Sequence, residues 1–191
     1  VLVKTTMENN FCLTAEQLEE AITPNTKLLM LCTPNNPTGS VYTYENLKAI
    51  VEVLKKHPQI IVLADEIYQH ILYTGKHETL AQFPELEDRL IIINGVSKAY
   101  AMTGYRIGWL ASHDKDLLTA VKRLQGQTIS CATTIAQKAA EAAYAGPQDC
   151  VEDMRQAFHR RRDLILSLAK EIPGMKVLEP QGAFYLFPDV S

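Results

Sequence analysis

Short apolar runs punctuate the chain: LLMLC at 28–32, IIVLA at 60–64 and LIIIN at 90–94, each followed by polar residues. Uninterrupted apolarity over such a length predicts strands buried on both faces, as in a parallel sheet covered by helices. Between the first two runs, YTYENLKAIVEVLKKHP sets Leu47, Ile50, Val51 and Leu54 on one stripe, with Thr43 as the N-cap and Pro58 as the stop. Strand, helix and strand in that rhythm make a βαβ unit with a right-handed crossover. An earlier helix over 14–22 has Thr14 as its cap and Leu18, Ala21 and Ile22 on one side.

After the third run, RIGWLAS reads as a further strand, followed by helices over 114–127 and 133–145. The segment AGPQD at 145–149 marks a boundary. Beyond it, Val151, Met154, Phe158, Ile165, Leu168 and Ile172 form the apolar stripe of one long helix ending at Pro173, and MKVLEP and GAFYLF read as two strands. The expected fold is α/β: a mostly parallel sheet sandwiched by helices over residues 1–146, then a connecting helix and the start of a small α+β domain over 147–191. The chain opens on VLVK and stops at FPDVS inside a strand pattern, which suggests a piece of a longer protein.

Composition narrows the partners. The 191 residues are 47% hydrophobic and 21% charged, as in an ordinary globular protein, and 22 acidic against 19 basic side chains leave a net charge of -3. That balance points away from nucleic acid. The one basic run, HRRRD at 159–163, reads as the solvated face of a helix. Cys12, Cys32, Cys131 and Cys150 lack the spacing of a metal site or a disulfide framework, so no metal is expected and a reducing, cytoplasmic setting fits. No run of residues is long and apolar enough for a membrane span.

Polar groups gather where the strands end. LLMLC leads into TPNNPTG with Asn36, IIVLA into DEIY with Asp65, Glu66 and Tyr68, and LIIIN into GVSK with Lys98, followed by Arg106. Each has a plain alternative. Asn36 to Gly39 reads as a turn, Asp65 as the cap of a short helix, Lys98 as a side chain reaching solvent, and Arg106 as half of an ion pair. Their shared position favours function, because ligands of open α/β sheets bind at the carboxyl ends of the strands. A lysine there is a nucleophile for an aldehyde, an arginine binds phosphate in bidentate fashion, and a carboxylate holds a pyridine nitrogen protonated. These are the groups a pyridoxal phosphate enzyme needs.

The ordered set NNPTG, ADEIY, SKAYAMTGYRIGW and the closing QGAFYLF resembles the class I aminotransferases, members of the fold-type I pyridoxal phosphate enzymes, over nearly the whole chain. The resemblance implies that Lys98 forms the Schiff base with the cofactor and later moves the proton. It implies that Asp65 pairs with the pyridine nitrogen, that Asn36 and Tyr68 bond the phenolic oxygen, and that Arg106 grips the phosphate. Small residues between Lys98 and Arg106 would let the backbone pass close to the cofactor. Many relatives carry a serine three residues before the lysine; Gly95 stands there, and Ser97 is the candidate substitute. The AMTGYRIGW stretch is similar to bacterial members acting on aspartate or aromatic amino acids. Transamination of aspartate with 2-oxoglutarate by a full-length homodimer is therefore the expected activity, with amino acids and 2-oxo acids as partners. The family's N-terminal phosphate-binding helix start, its stacking aromatic residue and its C-terminal substrate arginine have no counterpart here, so these residues alone are expected to be inactive. A C-S β-lyase and a non-catalytic cofactor-binding regulator are the alternatives.

Overall fold

Two helices begin with the same reciprocal hydrogen bonds. In a computed structural model describing residues 1–191, Thr14 caps α1 (Ala15–Ala21) and Thr43 caps α2 (Tyr44–Lys55). Thr43 Oγ1 accepts from Asn46 N–H at 3.2 Å while Thr43 N–H donates to Asn46 Oδ1 at 3.1 Å, so donors without helical partners are satisfied at the start of α2. The stripe of α2 is wholly inside: Leu47, Ile50 and Leu54 are 0% exposed.

That stripe packs on a four-stranded sheet ordered β1 (Leu28–Cys32), β2 (Ile61–Asp65), β3 (Leu90–Gly95) and β4 (Gly108–Ser112). The first three strands are parallel and β4 runs antiparallel to β3. Leu31, Val62, Ala64 and Leu90 join α1 and α2 in one core with Leu80, Phe83 and Leu86. The architecture is a mostly parallel α/β sheet with flanking helices, as expected. Burial of β1 on both faces is not observed: Leu28 and Met30 are 47% and 65% exposed. Their register places them on the face opposite Leu31, and no helix of these residues covers it. The apolar run marks strand type; burial depends on what packs against each face.

The remaining helices are α3 (Lys115–Thr128), α4 (Thr134–Ala145) and α5 (Asp149–Lys170), close to the expected spans. The stripe expected for α5 is corrected. Ile165, Leu168 and Ile172 are about half exposed, and the buried face carries Arg162, Leu166 and Ala169. Arg162 also corrects the reading of HRRRD as fully solvated. It donates to Glu179 Oε1 at 2.8 Å, Pro180 O at 3.0 Å, Asp163 Oδ1 at 2.8 Å and His159 Nε2 at 2.6 Å, and its guanidinium lies 5.1 Å from the Tyr73 ring centroid. A planar fork with five donors suits a site with this many acceptors.

MKVLEP and GAFYLF do not form strands. They make only single bridges, Lys176 with Asp189 and Leu72 with Gly182. Their backbone groups go instead to the loops at the strand ends: Ala183 N–H to Ile71 O, Tyr73 N–H to Gln181 O, and both Gln181 and Gly182 N–H to Gly39 O, at 2.8–2.9 Å. Gly182 is the tight point of this seam, because a Cβ there would lie 2.7 Å from Pro34 Cβ and 2.9 Å from Ile71 O. No helix is long and apolar enough to cross a membrane.

Denaturant unfolding should separate these contributions. Leu54→Ala is expected to cost about 2–5 kcal/mol, since it empties a closed site, and Gly182→Ala about 1–3 kcal/mol by forcing the seam apart. Leu124→Ala, at an exposed position of α3, should stay within about 0.5 kcal/mol.

Candidate active site at the strand ends

Parallel register sets Cys32 opposite Asp65 and Asp65 opposite Ile93, so the loops after β1, β2 and β3 leave from one edge. Antiparallel β4 starts with Gly108 opposite Gly95 and thereby returns Arg106 to the same edge. The two glycines have a steric reason. A Cβ on Gly95 would sit 2.8 Å from Gly108 Cα and 2.9 Å from Ile107 O, leaving no room for a serine at this backbone position.

In the first loop, neighbouring asparagines divide the work. Asn35 builds the turn: its Oδ1 accepts from Thr38 N–H at 3.3 Å and Thr38 Oγ1 at 2.9 Å. Asn36 is exposed, with its amide beside the Tyr68 hydroxyl. Asp65 divides its own carboxylate. Oδ1 accepts Ile67 N–H at 3.1 Å, capping a turn where a short helix was expected, and Oδ2 makes no hydrogen bond within the chain. Both plain readings are thus present, and each leaves a free group on the edge.

Tyr68 is buried, and its hydroxyl lies 2.6 Å from that of Tyr185. Burial pushes its pKa up, the bond to Tyr185 adds to the rise, and the Asn36 amide opposes it, so Tyr68 is held as a neutral phenol. Lys98 is half-buried and directs Nζ over two rings, 5.6 Å from the Tyr68 centroid and 5.5 Å from that of Phe184. These aromatic faces hold the ammonium without an ion pair. It therefore neither reaches freely into solvent nor spends its charge on a carboxylate.

Arg106 is exposed and donates through Nη1 to Thr103 O at 2.8 Å; it has no acidic partner. Its φ of 52° and the 53° of Ala101 place both in the left-handed region, at a cost of about 1–2 kcal/mol each for residues with a Cβ. Strain of this kind gathers at functional segments. Ser97 is half-buried beside Lys98.

Two elements of the site escape sequence reasoning. Phe184 and Tyr185 fall in a segment read as a strand of another domain, yet their rings meet Tyr68 edge-on at 5.4 and 5.7 Å. Gly182 before them, a residue that permits close approach, is a signal that could have marked such a seam. Glu66 is also buried beside Asp65: Thr79 Oγ1 donates to its Oε1 at 2.7 Å, and His77 Nε2 lies 3.1 Å from its Oε2. Nothing in the spacing of Glu66, His77 and Thr79 announces that cluster.

The sequence profile described as Aminotransferase class I and II matches residues 1–191. The chain is 48% identical over 191 residues to the aspartate aminotransferase of Geobacillus stearothermophilus, across 99% of this chain and 48% of that protein. It superposes on the crystal structure of the aspartate aminotransferase from Rhizobium meliloti with a TM-score of 0.95 at 43% identity, covering 98% of this chain and 47% of that one. For the aromatic aminotransferase from Pyrococcus horikoshii the TM-score is 0.93 at 35% identity, with 98% and 50% covered. The chain spans about half the length of the curated relatives it matches. The profile runs from the first residue to the last over a sheet whose strand ends gather an amine, a carboxylate, a phenol and a guanidinium, and on these grounds the chain belongs to the class I and II aminotransferase family.

Proposed function

We propose that this chain carries the cofactor-binding centre of a pyridoxal phosphate-dependent aminotransferase whose full-length form exchanges amino groups between aspartate and a 2-oxo acid such as 2-oxoglutarate. The observation that carries the reading is the Lys98 amine, held on two aromatic faces without a carboxylate partner at the edge where Asp65 and Asn36 emerge. Relatives named as aspartate aminotransferases support the substrate.

The residues present fit the cofactor. It needs an uncommitted amine, a carboxylate with an oxygen to spare, neutral donors for its phenolic oxygen and a cation for its phosphate. Lys98, Asp65 Oδ2, Tyr68 with Asn36, and Arg106 are these groups. When bound, pyridoxal phosphate supplies an aldehyde and an electron-withdrawing ring.

Lys98 Nζ would be the nucleophilic amine that holds the cofactor by its aldehyde and, as a free amine, the base that moves the proton at the substrate carbon. Asp65 Oδ2 holds the ring nitrogen protonated, while its Oδ1 stays bound to Ile67 N–H and fixes the carboxylate plane. Asn36 and Tyr68 donate to the phenolic oxygen, and the high pKa of Tyr68 keeps its proton in place to do so. Arg106 binds the phosphate through the guanidinium N–H groups that Thr103 leaves free, with the Ser97 hydroxyl as an added contact. The same reading takes residues 1–146 as part of the large domain and 147–191 as the connecting helix and start of the small one, in a cytoplasmic homodimer.

Borohydride reduction of the full-length protein mixed with pyridoxal phosphate, followed by peptide mass spectrometry, is expected to place the label on Lys98. Label elsewhere, or none, would refute the assignment. In the same protein, Asp65→Asn should lower kcat/KM for aspartate by at least about a hundredfold, because it removes the charge that holds the ring proton. A loss below tenfold would remove Asp65 from its proposed role.

A further inference from the structure

We infer that Tyr185 is a positioning residue that sets the direction in which Tyr68 offers its hydroxyl hydrogen. The inference rests on Tyr68 being a donor to the cofactor's phenolic oxygen, as proposed above.

The two phenols touch, 2.6 Å apart across 117 residues of chain. Each has one hydrogen and two lone pairs, so one of them donates to the other. If Tyr68 donates to Tyr185, its hydrogen is spent inside the protein. If Tyr185 donates to Tyr68, the Tyr68 hydrogen is free to point outward. A negatively charged oxygen in front of Tyr68 selects the second order, since two O–H groups then line up toward the charge and polarise one another.

Tyr185 is held for this task. Ala183, 0% exposed and with φ 57°, bonds through its N–H to Ile71 O at 2.8 Å, and Tyr73 Oη donates to its carbonyl oxygen. Phe184 stacks on Phe158 at 5.1 Å and meets Tyr185 at 4.9 Å. The Tyr185 ring is therefore fixed from behind while its hydroxyl reaches the only phenol facing Lys98. Titratable groups that face Tyr68 are Cys32 from β1, Lys98 and Tyr185; the Asn36 amide adds a neutral donor. Among the titratable groups, Tyr185 alone combines direct hydrogen-bond contact with a hydrogen to give to the Tyr68 oxygen, and the Asn36 amide is the neutral donor to the same oxygen.

The visible absorption of the full-length holoenzyme, followed against pH, reads this arrangement without reference to turnover. A donor to the phenolic oxygen draws negative charge from it, and that oxygen then holds the neighbouring titrating proton less firmly. Weakening the donor raises the midpoint. Tyr185→Phe keeps the ring and removes the hydroxyl, so the midpoint should rise by about 0.3–0.7 of a pH unit. Tyr68→Phe should raise it further. Adding Tyr185→Phe to Tyr68→Phe should raise it no more, because the hydroxyl acts only through Tyr68. An unmoved midpoint in Tyr185→Phe would overturn the inference, as would an equal rise when Tyr68 is already Phe. A visible band before reduction and a borohydride label on Lys98, together with an unmoved midpoint, count against Tyr185 alone. If the unsubstituted protein shows no band and no Lys98 label, the cofactor reading fails and the inference with it.

Discussion

Every candidate group reaches the site because three parallel strands stop level with one another. Cys32, Asp65 and Ile93 stand abreast, and the chain leaves each neighbouring strand with a polar residue aimed past the same edge. A one-residue slip in a strand moves all its side chains to the other face, so the core that fixes the register also fixes the site. Leu31, Val62, Ala64 and Leu90 hold that register against α1 and α2. Antiparallel β4 completes the edge by bringing Arg106 back to it, which requires Gly95 and Gly108 to approach more closely than a side chain allows.

The second constraint is the seam formed by residues 179–185. Gly39 O accepts two N–H groups from this segment, Ile71 and Tyr73 bond to its backbone, and Arg162 pins Glu179 and Pro180 to α5. A segment with its hydrogen bonds distributed in this way cannot also pair as a regular strand, which is why GAFYLF contributes a bridge and not a ladder. The same bonds deliver Phe184 and Tyr185 to the far side of Tyr68. Packing along the seam thus reaches the polar edge through aromatic rings, with Lys98 lying over two of them.

Elements carried by local rules were legible in the chain. The stripe of α2, the caps Thr14 and Thr43, and the strand character of the apolar runs all follow from spacing and side-chain chemistry. The placement of Asn36, Asp65 and Lys98 at one edge was legible too, because parallel topology converts positions after strands into neighbours, whereas Arg106 returns to that edge through the antiparallel pairing of β4. What escaped depends on partners distant in sequence. Burial of Arg162 comes from Glu179 and Pro180, exposure of Met30 from an uncovered sheet face, and the place of Tyr185 from a hydrogen bond spanning 117 residues. No window of the chain contains both halves of those contacts.

Structural and chemical readings of the polar residues prove complementary. The TPNNPTG loop needs an asparagine to satisfy Thr38 and uses Asn35, leaving the Asn36 amide to face the Tyr68 hydroxyl. The DEIY turn needs a carboxylate oxygen on Ile67 N–H and uses Asp65 Oδ1, leaving Oδ2. Glu66, the adjacent carboxylate, is buried and accepts from Thr79 Oγ1, with His77 Nε2 3.1 Å from its other oxygen. A group free to bind but attached to a floppy loop would be poorly oriented, while one fully bonded within the protein has nothing to offer. In the proposed function the turn chemistry would supply orientation and the spare atom the contact to the ligand, so the plain readings and the chemical one are compatible at the same residues.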